Sequence, residues 1–260
     1  MHPELVRVGS FALPSYGVAL VAAFVVAIGL LRRRAPAFGV APDAAADVAI
    51  WLLLSGLAGA KLLLLVVEGP RYLSSWDGFV EFLRSGGVFY GGLIGAVLAL
   101  VLVLRKRHIS FWTFVDMAAP AAALGHAIGR IGCFLAGCCW GSSCAAPWAV
   151  TFTDPVAERL VGVPLNVPLH PTQLYESAGN LLIAGLLLKF EKRRYPGQTF
   201  AWYLGSYALL RGTIEFFRGD PRGSVLDGAL STSQLIAVGG VVAAFAIGWW
   251  NRKKRADASA

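Results

Sequence analysis

The sequence predicts an all-α integral membrane protein of about seven transmembrane helices, and three observations carry that prediction. Of its 260 residues, 57% are hydrophobic and 15% are charged, whereas soluble domains usually carry about 25% charged residues. Long apolar runs recur along the chain, and a bilayer core needs about 20 mostly apolar residues per helical span. Basic clusters follow every second run, which is the pattern that orients membrane proteins.

Seven apolar runs have the length and composition of helical spans. They cover residues 16–31, 48–67, 88–104, 111–128, 173–190, 199–217 and 231–250. Several runs are short or interrupted by glycine, so their bounds are approximate. The chain shows no linker, low-complexity tract or repeat. We therefore expect a single membrane domain over residues 1–260, which ends in a basic cytoplasmic tail at 251–260.

Basic residues gather in four clusters, each after an odd-numbered span. The clusters are Arg32–Arg34, Arg105–Arg107, Lys189 with Lys192–Arg194, and Arg252–Arg255. Short loops rich in Lys and Arg stay in the cytoplasm, which predicts a periplasmic N-terminus and a cytoplasmic C-terminus in a bacterial inner membrane. Because this distribution accounts for the net charge of +8, we expect no nucleic acid among the partners.

The predicted orientation places most of the polar sequence on the periplasmic side. The longest such segment, 129–172, lies between spans four and five, and further outer loops cover 68–87 and 218–230. The inner loops are little more than basic anchors and a short Ala/Pro turn. We therefore expect the working residues of the protein to face the periplasm.

Arg130 stands between two glycines at the outer end of span four, in the run Gly-Arg-Ile-Gly. Glycine permits an irregular backbone, and a guanidinium binds phosphate through two parallel charge-assisted hydrogen bonds. The alternative is an arginine that only extends to the headgroup level, as basic side chains at membrane surfaces commonly do. The flanking glycines favour an anion-binding role.

Tyr207, Arg211, Glu215 and Arg218 are spaced by four, four and three residues late in span six. That spacing predicts one shared helical face. Ionisable groups inside a membrane span are costly and usually face a cavity or a partner, so we expect a functional role for Arg211. The alternative is an Arg211–Glu215 ion pair that only stabilises the helix bundle.

Further residues have both a functional and a structural interpretation. His170 opens the run His-Pro-Thr-Gln-Leu-Tyr-Glu, where Pro and Thr suit the start of span five, and it is a candidate general base. Tyr90 and Tyr16 lie at the outer ends of spans three and one, where tyrosines also serve as interfacial anchors. Lys61 in span two either reaches the outer headgroups or pairs with an acid such as Glu68.

All four cysteines lie within twelve residues of the periplasmic segment, at Cys133, Cys138, Cys139 and Cys144. Disulfides form in oxidising compartments, so disulfide bracing is the first expectation, and three full pairings stay open. Free structural thiols and metal or redox chemistry are the alternatives. The spacing lacks the two separated Cys-x-x-Cys pairs of many zinc sites, so no metal and no cofactor are predicted.

In this order, the blocks from about Tyr16 to Arg218 resemble the prolipoprotein diacylglyceryl transferase family. The Gly-Arg-Ile-Gly, His-Pro-Thr-Gln-Leu-Tyr-Glu and Arg-x-x-x-Glu-Phe-Phe-Arg blocks make the resemblance specific. It implies seven spans and an enzyme that moves a diacylglyceryl group from phosphatidylglycerol to the lipobox cysteine thiol of a prolipoprotein, releasing glycerol phosphate. The implied partners are phosphatidylglycerol, prolipoprotein signal peptides and membrane lipids, while the oligomeric state stays open.

The resemblance also implies roles for single residues. Arg130 and Arg211 are similar to the arginines that hold the phosphatidylglycerol headgroup in the family. Tyr16 and Tyr207 resemble the site tyrosines of the family. Glu215 matches the acidic residue that follows the second arginine in the family, and Gly141 matches the glycine that closes the signature loop. His170 and Glu176 align with the histidine block of the family.

The chain departs from the family pattern at four positions. Tyr90 stands where well-characterised members have a histidine, so Tyr90 and His170 are the two candidates for the base that deprotonates the acceptor thiol. Cys133, Ala136 and Cys138 replace asparagine, asparagine and glutamate, which indicates a cysteine-containing divergent branch. The alternatives are a paralogue with another acceptor, a non-catalytic lipid-binding scaffold, and a transporter, which would carry ionisable groups at mid-membrane.

Overall fold

The computed structural model describes residues 2–9, 11–191, 194–220, 223–225 and 230–259 of the chain. The helices in this part are α1 (Ser15–Arg34), α2 (Pro42–Leu73), α3 (Trp76–Arg84), α4 (Phe89–Lys106), α5 (Phe111–Ala136), α6 (Pro155–Val161), α7 (Thr172–Lys189), α8 (Gln198–Glu215) and α9 (Thr232–Ser259), with a 3₁₀ turn at Ala35–Phe38. Short antiparallel strand pairs join β1 (Glu4–Val8) to β2 (Phe11–Pro14), β3 (Val150–Thr151) to β4 (Pro168–Leu169), and β5 (Ser224–Val225) to β6 (Leu230–Ser231).

Each of the seven predicted apolar runs falls on one long helix. Five helical stretches are long and apolar enough to cross a membrane, namely 15–38, 42–73, 89–106, 111–136 and 232–257. Helices α7 and α8 are not among them, because polar residues such as Glu176, Asn180 and Thr199 lower their mean hydropathy. The prediction of a helical integral membrane protein is confirmed. The count of seven spans and their orientation stay predictions.

Two differences from the predicted bounds have local causes. Helix α2 is longer than its apolar run, and its backbone is non-helical at Glu68, two residues before Pro70, because proline removes an amide donor and clashes with the preceding turn. Helix α9 continues to Ser259 through the basic cluster at Arg252–Arg255. Lys192 and Arg193 of the third basic cluster lie outside the described residues.

The chain forms two compact units, and the prediction of one domain over 1–260 stays a prediction. The first unit contains residues 1–30 and 115–260, and the second contains residues 31–114. Each unit is built around its own helix packing.

In the second unit, helices α2 and α4 pack along most of their length through glycine. Gly59 of α2 faces Gly91 and Gly95 of α4 at backbone contact distance, because the lack of a side chain lets membrane helices approach closely.

Lys61 donates hydrogen bonds to the carbonyl oxygens of Phe82 and Ser85 at the end of α3. Lys61 therefore holds the C-terminal end of α3, and Glu68 is not its partner.

Replacing Gly91 with alanine should destabilise the second unit. The new methyl group would overlap the carbonyl oxygen of Gly59, and overpacking of this kind costs about 1–3 kcal/mol or more. Thermal unfolding of the purified protein in detergent should show a lowered midpoint. Gly86→Ala is the control, because a methyl group there meets no atom within 4 Å; equal midpoints for both variants would contradict the tight helix contact.

In the first unit, helices α5, α7 and α8 share one core. Ala119 and Ala123 of α5 pack against Ile183 and Leu187 of α7, and Tyr207 of α8 packs against this cluster. Small residues on α5 allow α7 to come close, and Ser177 Oγ donates a hydrogen bond of 2.9 Å to the Ala127 carbonyl.

The start of α8 is fixed to α5 by a buried carboxylate. Asp116 accepts hydrogen bonds from the backbone N–H groups of Gly197 (2.7 Å) and Phe200 (2.8 Å). These amides belong to the first turn of α8, whose donors have no partner within the helix. The register of α8 against α5 therefore follows from one side chain, and this register brings Tyr207 towards the middle of α5.

Candidate active site

A buried carboxylate on α7 joins three helices of the first unit. Glu176 is fully buried, and its Oε1 atom accepts hydrogen bonds from Arg130 Nη2 on α5 (2.9 Å) and from the Tyr207 hydroxyl on α8 (3.2 Å). The side chain of Arg130 is 15% exposed. The sequence blocks that contain these three residues therefore meet at one point.

His126 also belongs to this cluster, and sequence reasoning missed it. Its Nε2 atom lies 3.4 Å from Glu176 Oε1 and accepts a hydrogen bond of 3.2 Å from Arg130 Nε. Its ring packs against Tyr207 with a centroid distance of 5.0 Å. His126 precedes Arg130 by one helical turn, so the spacing of four on a membrane helix is the signal that could have found it.

Arg211 lies on α8 one turn after Tyr207. Its Nη1 atom forms a 2.5 Å ion pair with Glu215, and its Nη2 atom donates to Ser233 Oγ on α9 (2.8 Å). Arg211 is close enough to Glu176 and Tyr207 to interact electrostatically with both. Arg130 thus contacts Glu176 directly, whereas Arg211 influences it only through its charge and forms the predicted ion pair with Glu215.

Arg218 does not share the helical face predicted for it, and that part of the prediction was wrong. Helix α8 ends at Glu215, so the spacing no longer applies beyond that residue. Arg218 instead donates two hydrogen bonds to Asp220, of 2.8 and 2.7 Å. Burial alone would lower the pKa of the Arg218 guanidinium, but hydrogen bonds to Asp220 and Cys139 raise it.

The chain turns sharply after α5. Gly137 and Cys139 both have left-handed backbone angles, with φ of 81° and 64°, and such a conformation is uncommon for a residue other than glycine. The turn is held by hydrogen bonds from Thr172 Oγ1 to the Cys139 carbonyl (2.9 Å) and from Gln173 Nε2 to the Cys138 carbonyl (2.7 Å). The first residues of α7 thereby fix the shape of this loop.

The loop brings three thiols together. The Sγ atoms of Cys133, Cys138 and Cys139 lie within 4.8 Å of one another, while Cys144 lies apart and accepts a hydrogen bond from Ala146 N. All four cysteines are free thiols in this structure. Disulfide bracing stays a prediction. Hydrogen bonds from Cys133 and Cys138 lower the pKa of the Cys139 thiol, and the Arg218 guanidinium lowers it further.

Gly141 lies where three segments meet. Its N–H donates a hydrogen bond of 3.1 Å to the His170 carbonyl. A Cβ atom there would lie 2.5 Å from that carbonyl oxygen and 2.7 Å from the Phe217 carbonyl oxygen. Only glycine fits at position 141, because any side chain would collide with the backbone of the two neighbouring segments.

His170 has an aromatic environment of its own. Its Nδ1 atom lies 3.2 Å from the Tyr175 hydroxyl, which accepts a hydrogen bond of 2.7 Å from Trp148 Nε1. Its ring packs edge-on to Phe217 at 5.2 Å. Tyr90, the other candidate base, belongs to the second unit, where its side chain is 70% exposed beside Phe89.

A cavity of about 610 Å³ opens between α1 and α5 in the first unit. Its described lining is polar at one end and apolar along the rest, and consists of Tyr16, Leu20, Ala23, Phe24, Ala27, Ala122, Gly125, His126, Gly129, Arg130, Cys133, Cys138 and Cys139. Of the predicted site residues, Tyr16, Arg130 and three cysteines belong to this lining, and Tyr207, Arg211, Glu215, Gly141 and His170 do not. A guanidinium at the end of an apolar cavity suits an amphiphile with an anionic headgroup.

Comparison with known proteins agrees with these features. The sequence pattern of the prolipoprotein diacylglyceryl transferase family matches residues 3–250. A phosphatidylglycerol–prolipoprotein diacylglyceryl transferase of Clostridium tetani is 35% identical over 240 residues, which cover 92% of this chain and 93% of the relative. Proteins of the same name from Acaryochloris marina and Gloeobacter violaceus are 34% and 32% identical over 92% and 98% of this chain, and 86% and 94% of the relatives. The chain belongs to the prolipoprotein diacylglyceryl transferase family.

Proposed function

We propose that this protein transfers the diacylglyceryl group of phosphatidylglycerol to the lipobox cysteine thiol of prolipoproteins and releases glycerol phosphate, the first step of bacterial lipoprotein maturation. Relatives that match most of the chain carry the name of this enzyme. The observation that carries the proposal is the Arg130 guanidinium, which Glu176 holds at the polar end of an otherwise apolar cavity. Acyl chains suit the apolar wall, and the lipid phosphate suits the guanidinium.

The two arginines would act on the phosphate. Arg130 binds the headgroup, and Arg211, which interacts electrostatically with Glu176, adds a second positive charge. As the bond between the glycerol carbon and the phosphate oxygen breaks, negative charge grows on the departing glycerol phosphate. Guanidinium groups that are already fixed in place stabilise such charge without reorganising. Tyr16 lines the cavity and Tyr207 holds Glu176, so both tyrosines would position the headgroup and its arginine.

The acceptor thiol has to lose its proton, because the thiolate is the nucleophile and an ordinary cysteine has a pKa of about 8.5. His170 and Tyr90 are the candidates from the sequence. His126 is a third candidate, since its imidazole lines the cavity and contacts a buried carboxylate. A carboxylate that orients an imidazole towards a thiol is a recurring arrangement in nucleophilic catalysis.

The protein belongs to the bacterial inner membrane. Our proposal for its topology is seven spans in one membrane domain, with α7 and α8 as the two spans beyond the five apolar ones, a periplasmic N-terminus and a cytoplasmic C-terminus. The basic clusters at Arg32–Arg34, Arg105–Arg107 and Arg252–Arg255 support this orientation. The site then faces the periplasm, where prolipoprotein signal peptides present their cysteine.

The purified protein should release glycerol phosphate from headgroup-labelled phosphatidylglycerol when a lipobox peptide is present. The same peptide should gain the mass of a diacylglyceryl group, and a peptide with serine in place of its cysteine should stay unmodified. A non-catalytic scaffold would retain the lipid and release no glycerol phosphate. That result, obtained with folded protein, would overturn the proposal.

A further inference from the structure

The three-thiol cluster at the polar end of the cavity has no role in the mechanism above. Cys133 is buried, and Cys138 and Cys139 are half-buried. All three belong to the lining of the cavity that also contains Arg130. Their mutual arrangement is fixed by the turn of the loop and by the hydrogen bonds from Thr172 and Gln173.

We propose that Cys133, Cys138 and Cys139 bind one thiophilic divalent cation with the coordination chemistry of zinc. Zinc binds thiolate sulfur at about 2.3 Å, so three sulfurs around one ion lie roughly 4 Å apart. The sulfurs here are within 4.8 Å of one another, and small side-chain rotations would close the remaining gap. Thiolates are the ligands that select zinc over magnesium and calcium.

The charges around the cluster suit an ion held by three thiolates. Such a complex carries one net negative charge, because three thiolates outweigh a divalent cation. Arg130 Nη1 lies 3.9 Å from Cys133 Sγ, and Arg218 interacts with Cys139. Each guanidinium also has a carboxylate partner, Glu176 for Arg130 and Asp220 for Arg218. Both can still donate hydrogen bonds to the sulfur ligands, as outer partners of metal ligands commonly do.

The number of ligands indicates a reactive site rather than a structural one. Structural zinc sites are closed by four protein ligands, whereas catalytic sites have three and an open fourth position. Cys144 is not a member of the cluster. The open position would face the cavity, next to the side chain that binds the lipid phosphate.

Resting on the proposed function, this site would take the acceptor cysteine thiol as its fourth ligand. A thiol that coordinates such a cation is deprotonated outright, and its proton passes to water. The sulfur then forms a bond to the glycerol carbon, the bond from that carbon to the phosphate oxygen breaks, and its electron pair leaves with glycerol phosphate. No atom is oxidised or reduced. The cation would thus take the place of a general base at the acceptor thiol.

Cobalt(II) gives a direct test, because its thiolate complexes absorb strongly in the near ultraviolet. Reduced, chelator-treated protein in detergent should bind one Co²⁺ per chain with this absorption, and excess Zn²⁺ should remove it. Each of Cys133→Ser, Cys138→Ser and Cys139→Ser should weaken Co²⁺ binding by more than about 10–100-fold, which is the usual cost of losing an outer partner of a ligand. Cys144→Ser is the matched control and should bind Co²⁺ like the unaltered chain.

A second measurement tests the open position. A lipobox peptide should change the Co²⁺ spectrum, and the same peptide with serine instead of cysteine should leave it unchanged. Absence of thiolate-to-metal absorption in the reduced protein would overturn the metal site. Loss of this absorption in Cys144→Ser, with the variants at Cys133, Cys138 and Cys139 unaffected, would also overturn it. Diacylglyceryl transfer by metal-free protein would overturn the role of the cation in deprotonating the acceptor thiol, while leaving the proposed function intact. Metal binding without any lipid transfer would retain the site and reject the proposed function.

Discussion

Replacing Arg130 with alanine should lower the rate of diacylglyceryl transfer by about 10²–10³-fold, the usual cost of removing one group that stabilises developing charge. The change removes the only guanidinium in the described lining of the cavity. Glycerol phosphate release from labelled phosphatidylglycerol is the measurement. Arg130→Lys should restore part of the rate at most, because an ammonium group lacks the planar fork that binds phosphate through two bonds.

Arg159→Ala is the matched control for this prediction. Arg159 lies in the first unit on α6 and is exposed, so its loss should leave transfer unchanged. The thermal midpoint of each variant should be recorded as well, since Arg130 also neutralises Glu176. A folded Arg130→Ala protein with a rate near that of the unaltered chain would rule out the phosphate-binding role.

The second large effect is expected at Glu176. Glu176→Gln should lower the free energy of unfolding by about 3–5 kcal/mol, because removal of one partner leaves a largely buried charge uncompensated. The charge in question is that of Arg130, and Tyr207 and His126 would lose their shared contact at the same time. Denaturant or thermal unfolding in detergent would measure the change.

Two further variants make this prediction specific. Glu158→Gln changes an exposed acid on α6 and should leave stability unaltered. In the double variant Arg130→Ala/Glu176→Gln, the destabilisation should be smaller than the sum of the two single effects, because neighbouring partners couple. Strict additivity would mean that the buried ion pair does not contribute to the fold.

The sequence was most informative where the membrane imposes a simple requirement. A helical span needs about 20 mostly apolar residues, so the five stretches that are long and apolar enough could be placed from composition alone. The short amphipathic helix α3 could not, because its position depends on contacts made after folding. The hydrogen bonds of Lys61 to the end of α3 are an example. The kink of α2 at Glu68 follows from Pro70 and could have been predicted from the sequence.

For the candidate site, the sequence identified residues and the local Arg211–Glu215 pair, but not the contacts between distant residues. Arg130 and Glu176 were both recognised, yet their contact joins positions 46 residues apart, and no local spacing reports such a pair. His126 could have been found from its spacing to Arg130. The cysteine spacing lacks the separated Cys-x-x-Cys pairs of many zinc sites, so it did not predict a metal. It also could not predict the left-handed turn at Gly137 and Cys139 that brings the thiols together.

The walls of the cavity also have a defined depth. They run along α1 from Tyr16 to Ala27 and along α5 from Ala122 to Cys133. A run of about eleven helical residues rises about 16 Å, which is roughly half of the 30 Å hydrocarbon thickness of a bilayer. In the topology that we propose, each wall is thus about as tall as one monolayer, and a phospholipid would enter the cavity laterally with its acyl chains still in the hydrocarbon layer. Turnover would then follow the mole fraction of anionic lipid in that monolayer, a two-dimensional concentration, rather than its amount per volume of water.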